Sequence, residues 1–143
     1  MAIDGTIYGY VVREELYQPN APIIVEGKRG AWLYVVLQGK VKVKKHTQQG
    51  TMIVDTLEEG AIVGEMALLS DTNRERTASV IAEGLVKVGL LDRVRLEREY
   101  EELSPQLKGL IRTLVLRLKA TTEETSLLAA ELKAQVYEER VTS

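Results

Sequence analysis

The feature that most constrains this chain is a change of hydrophobic period near residue 91. Before it, apolar residues come in short runs punctuated by Gly27, Gly30, Gly39, Gly50, Gly60, Gly64 and Gly84. After it they recur at helical spacing, and no proline follows Pro105. A period of two and a period of 3.6 cannot share one element, so a β-rich body must come first and a helical part second. Residues 33–37 read as a buried strand. Residues 39–44 alternate, with Val41 and Val43 on one face and Lys40, Lys42 and Lys44 on the other. Residues 51–57, 77–82 and 85–91 continue the pattern. Short, closely spaced strands with turn signals between them predict an all-β barrel or sandwich.

In the second part Asp92 is placed to cap a short charged helix ending near Leu103. Ser104 and Pro105 repeat that signal more strongly, a cap residue followed by proline at the first helical position. From there to about Glu139 the only glycine is Gly109. Leu107, Ile111, Leu114, Leu118, Thr121, Thr125, Leu128, Leu132 and Gln135 recur at steps of four and three, which is a heptad seam. At ~1.5 Å per residue the helix is about 50 Å long, so it is expected to project from the barrel and pair with a like helix. The organisation expected is residues 1–103 as the barrel with short helices and residues 104–143 as the dimerisation helix.

At 143 residues the chain is one domain's worth. A formal charge of −2 supplies no basic field for nucleic acid or an anionic membrane. Without cysteine there are no disulfides, thiolate metal sites or cysteine nucleophiles. His46, the single histidine, cannot make the multi-histidine metal site of a cupin-type barrel, so no metal is expected. The first ten residues lack the charged start and apolar core of a signal peptide, and no apolar run could span a bilayer. The expectation is therefore a cytoplasmic chain without a membrane partner. No second helical module offers a recognition helix, so no nucleic-acid partner is expected either.

The chemistry concentrates in Gly64-Glu65-Met66-Ala67-Leu68-Leu69, a polar loop, and Arg76-Thr77-Ala78-Ser79-Val80. Gly64 allows a tight turn and close approach of a ligand. Residues 65–69 can form one helical turn whose free N–H groups suit an anion. Arg76 can add a charge-assisted, bidentate contact to that anion. Thr77 supplies a hydroxyl, and the Glu65 carboxylate suits hydroxyls such as a ribose 2′-OH. A phosphorylated sugar would satisfy both halves of this set. Nothing resembles a nucleophile–base pair or a paired acid/base constellation, so binding rather than catalysis is expected.

This stretch resembles the phosphate-binding cassette of cyclic nucleotide-binding domains. Glu26-Gly27, Gly30, Leu33-Tyr34 through Gly39, and Leu57 through Gly60 fit the rest of that family's pattern, from about Tyr17 into the C-terminal helix. The resemblance implies a mainly β fold with α elements: a jelly-roll-like barrel of about eight strands, flanking helices and one long C-terminal dimerisation helix. It implies a pocket in which Gly64, Glu65, Met66 and Ala67 form the cassette turn. Glu65 would hold the ribose 2′-OH and Arg76 the cyclic phosphate, with Thr77 and backbone N–H groups near Ala67 completing the cradle. Residues 117–123 are similar to the dimer helix of the catabolite activator protein group, in which two adjacent hydroxyl residues contact adenine, one of them from the opposite subunit. Thr121 and Thr122 match them, which favours cAMP and a homodimer together. The loop 70–75 is longer than in kinase and channel cassettes and leaves the phosphate arginine open between Arg74 and Arg76. Ala61 and Val63 replace the usual acidic and aromatic residues, and a threonine after the arginine is compatible with cGMP. A barrel that has lost its ligand and serves as a dimerising scaffold is the alternative.

Overall fold

The computed structural model describes residues 5–28, 30, 32–64, 76 and 78–142. A 3-10 helix, Gly5–Tyr10, leads into strands β1 (Val11–Tyr17), β2 (Pro22–Ile24), β3 (Tyr34–Thr47), β4 (Gly50–Leu57), β5 (Ile62–Val63) and β6 (Ser79–Leu91). Helices α1 (Arg93–Glu101) and α2 (Pro105–Thr142) follow. All described strands share one antiparallel sheet with the order β1–β6–β3–β4, with β2 beside β6 and β5 beside β3. β1 and β4 are its free ends, so the sheet is open. No helix among the described residues is long and apolar enough to cross a membrane.

The sequence reading separates 33–37 from 39–44 and 77–82 from 85–91, whereas the structure joins each pair into one long strand. Gly39 and Gly84, at φ +92 and +77, bend β3 and β6 without ending their pairing. The β3–β6 register shifts between Val36 and Lys40 to absorb the bend. A Cβ on Gly39 would stand 2.6 Å from the Leu85 carbonyl oxygen, so the two chains can approach there only with glycine. Counted by straight segments, the six strands supply the eight expected.

The run at 33–37 is continuous because β3 is covered on both faces. Tyr34 and Val36 face the main core with Val41, Val80, Val86 and Val88. Leu33 and Val35 face a second core with Leu91, against Ile7 of the 3-10 helix and Leu96 of α1. Val35, Val36, Val41, Val86 and Val88 are fully buried, each contributing about 1.5–3 kcal/mol by leaving water.

The Asp92 carboxylate accepts the Arg95 N–H and caps α1, and Ser104 Oγ accepts the Leu107 N–H at the start of α2. The expected projection of α2 needs correction, because its middle packs on β4 and β3. Thr122, Ser126, Ala129 and Ala130 form the side of α2 that is covered, with Ser126 4% and Ala130 8% exposed. Small side chains let the helix backbone come close. Lys133 Nζ then donates to the Gln49 carbonyl at the tip of the β3–β4 hairpin at 3.0 Å. The seam residues Leu107, Leu114, Leu128 and Leu132 stay exposed. They lie roughly a third of a turn from the docked face at ~3.6 residues per turn.

Candidate functional site

Where α2 crosses β4 it roofs a cavity of about 220 Å³. Ile24, Val43, Leu57, Val63 and Val80 make its apolar floor. Its polar groups are Gly64, Arg76, Asp55, Thr121, Thr122 and Thr125. Four residues singled out from the sequence, Gly64, Arg76, Thr121 and Thr122, therefore meet in one cavity although they lie up to 58 positions apart. Glu65, Met66, Ala67, Arg74 and Thr77 lie outside the described residues.

Arg76 is held at both its backbone and its guanidinium. Its N–H donates to the Lys28 carbonyl and its carbonyl accepts from the Gly27 N–H, both at 2.8 Å. That turn is possible because Gly27 takes φ +82. Glu26 fastens it further: its carboxylate accepts the His46 N–H at 2.8 Å and pairs with Lys45 Nζ at 3.3 Å. Arg76 as a whole is buried, at 9% exposure. Its Nη2 donates to the Trp32 carbonyl at 2.8 Å and its Nη1 to the Gly64 carbonyl at 3.3 Å. A Cβ on Gly30 would stand 2.8 Å from Arg76 Nε, and one on Gly64 2.9 Å from Nη1. These two glycines make the seat in which the guanidinium lies flat.

Arg76 brings a positive charge into the wall of the cavity, where a low dielectric strengthens its attraction for an anion. Its field is felt across the core. Burial pushes the Tyr34 phenol up, and the Arg76 cation opposes that shift.

Thr121 Oγ1 donates to the Arg117 carbonyl at 3.0 Å and Thr122 Oγ1 to the Leu118 carbonyl at 3.1 Å. With their protons committed to the helix, both oxygens keep capacity as acceptors, on residues that line the cavity. Both threonines line the cavity of their own chain. Sequence reasoning missed the seat made by Gly30, whose signal is its place in the family pattern. His46 is exposed on β3, and Trp32 packs at the edge of the main core under Arg13, 5.8 Å from the ring centroid.

Residues 14–102 match the family described as the cyclic nucleotide-binding domain. The cGMP-dependent protein kinase 2 of Mus musculus is 34% identical over 106 residues, 70% of this chain and 14% of the kinase. The cAMP-dependent protein kinase regulatory subunit of Mycosarcoma maydis is 32% identical over 96 residues, 66% of this chain and 18% of that protein. Among solved structures, an EAL enzyme with cAMP bound superposes with a TM-score of 0.69 at 25% identity, over 88% of this chain and 33% of that one. The same enzyme with cGMP bound gives 0.67 at 26% identity, over 75% and 28%. The chain thus spans about a seventh of the kinase relatives it matches.

Proposed function

The chain belongs to the cyclic nucleotide-binding domain family, and from that premise we propose that it senses cAMP and couples the ligand to a homodimer formed through α2. The observation that carries the reading is the buried Arg76 lining a cavity roofed by Thr121 and Thr122. Arg76 would hold the cyclic phosphate, Glu65 the ribose 2′-OH, and the cassette turn from Gly64 through Met66 and Ala67, with Thr77, would complete the cradle. The threonine oxygens would accept from the adenine amino group. Relatives that are a cGMP-dependent protein kinase and a cAMP-dependent protein kinase regulatory subunit support the ligand class. The cAMP and cGMP forms of the superposed enzyme support a pocket that admits either purine.

The role is regulatory. Ligand under α2 favours the docked helix, and a docked helix presents the leucine seam in one orientation, which is a two-state device biased by binding. Calorimetric titration with cAMP and cGMP tests the reading. Arg76→Ala removes a charge-assisted contact worth about 1.5–3 kcal/mol, so affinity should fall about ten- to a hundredfold. An Arg76→Ala chain that binds as tightly as the parent overturns the assignment and moves it to Arg74. A parent that binds neither nucleotide makes the chain a dimerising scaffold.

A further inference from the structure

We infer that Glu26 ties Arg76 to the β3–β4 hairpin, and through it to α2, by a route that bypasses the base. It is a positioning residue, and its role rests on the cyclic-nucleotide reading above. The route begins in the backbone, where residues 24–28 run beside residues 76–80. Ile24 pairs with Val80, and the Glu26 N–H donates to Ser79 Oγ at 2.8 Å. The Gly27 N–H donates to the Arg76 carbonyl and the Arg76 N–H to the Lys28 carbonyl. Glu26 is thus fixed to the segment that carries Arg76.

Its side chain serves a different element. Among the described residues the β3–β6 ladder ends where Lys44 meets Ser79, yet β3 runs on to Thr47. Beyond Lys44 the hairpin keeps β4 as its neighbour, with His46 opposite Thr51. The His46 N–H, a backbone donor that β6 no longer reaches, donates to Glu26 Oε2 at 2.8 Å. Glu26 Oε1 pairs with Lys45 Nζ at 3.3 Å, and the Glu26 and Lys45 side chains are only 26% and 17% exposed. A fully exposed ion pair contributes little, whereas one drawn out of water beside a charge-assisted backbone hydrogen bond holds better. One carboxylate therefore stands in for the missing strand at the base of the hairpin tip.

The hairpin tip is what α2 packs against. Lys45, His46 and Gln49 form one wall of a groove whose other wall is Glu123, Leu127 and Ala130 of α2. Lys133 Nζ bridges the two elements by donating to the Gln49 carbonyl. The same helix roofs the nucleotide cavity with Thr121 and Thr122. Ligand thus reaches α2 twice: at the base through the threonines, and at the phosphate through Arg76, Glu26 and the hairpin. A helix with docked and undocked states responds to both, and the coupling is reciprocal.

Ribose cyclic phosphate, a ligand without a base, reads the second route alone by hydrogen exchange and titration. In the parent, saturating ligand should slow exchange at amides 122–134 about fivefold or more, the low end of coupling between sites. Glu26→Ala should abolish that slowing and lower affinity for the same ligand by an equal factor, since coupling acts in both directions. Glu26→Gln keeps an acceptor for the His46 N–H without the ion pair, so it should retain part of both. Parental protection of the β6 amides shows that a variant is folded, and the glutamine chain decides if the alanine chain is not. A residue that served the fold alone would lose β6 and α2 protection together, with or without ligand, and that result overturns the inference. So does parental slowing in every folded variant, or a parent that binds cAMP while the base-free ligand leaves α2 exchange unchanged. A parent that binds neither cAMP nor the base-free ligand overturns the cyclic-nucleotide reading and this inference with it.

Discussion

At the scale of single residues the site is built around where one guanidinium can lie. Arg76 contacts backbone oxygens of Trp32 and Gly64, and two glycines leave it the space to do so. Gly30 shows no left-handed backbone, so a side chain there strains nothing locally and acts only by pushing the guanidinium. Gly30→Ala should therefore leave the unfolding midpoint nearly unchanged while lowering cAMP affinity on the order of tenfold, the scale of one charge-assisted bond. Paired denaturation and titration check it; an equal loss of stability would mean the glycine serves the fold instead. Gly64→Ala should do worse on both counts, because Gly64 sits at φ +87 with the Trp32 oxygen 2.7 Å from an added Cβ.

At the scale of elements, α1 is tied to the 3-10 helix by Tyr10, Glu99 and Arg95. The Tyr10 hydroxyl and Arg95 Nε both donate to the Glu99 carboxylate, and Arg95 stacks 4.6 Å over the Tyr10 ring. The Tyr10 hydrogen bond, then that of Arg95, hold the Glu99 carboxyl below its usual value of 4.5. A carboxyl whose folded pKa is depressed adds stability above its unfolded pKa and loses it as pH falls through the folded one. The parent should thus lose stability as pH drops below about 4.5, and Glu99→Gln should lower stability at neutral pH and flatten that slope, the two chains converging in acid. Urea midpoints at several pH values read it directly. Helix α2 makes its own prediction. With Leu114 and Leu132 exposed on the undocked face, Leu114→Lys together with Leu132→Lys should put like charges into a paired seam and give monomers. Leu118 is avoided because it borders the cavity. Sedimentation that finds the unmodified chain monomeric at micromolar concentration would sink the dimer.

At the scale of the whole molecule, α2 has two working faces, one on the barrel and one free. The barrel face is small and polar, so α2 is held by a shallow contact that ligand can strengthen. Ala130→Leu should overpack it, at about 1–3 kcal/mol, and lift the helix off β4. Amides of residues 118–134 should then exchange faster with solvent and cAMP affinity should fall, while the β3 and β6 amides keep their protection. Thr121→Val with Thr122→Val probes the other direction: the change at Thr121 adds an apolar residue to the seam and that at Thr122 one to the docked face, so the dimer should stay intact or tighten while cAMP binding weakens. A double variant with parental cAMP affinity would make the threonines register residues only.

What depends on local spacing is legible along the chain. The strands at 33–37 and 85–91, the caps at Asp92 and Ser104, and the long helix after Pro105 all follow from near neighbours, and a recognisable cassette followed from the residues around Gly64. Which face of α2 meets the sheet is settled by packing between distant segments. A heptad pattern marks the leucines as buried in something, yet the barrel takes the face of Thr122, Ser126 and Ala130, because close approach is a property of two surfaces together. The same holds for Gly30, which is needed only because Arg76, 46 positions away, lies against it. Periodicity is written along the chain, whereas register and contact exist only once distant segments have met.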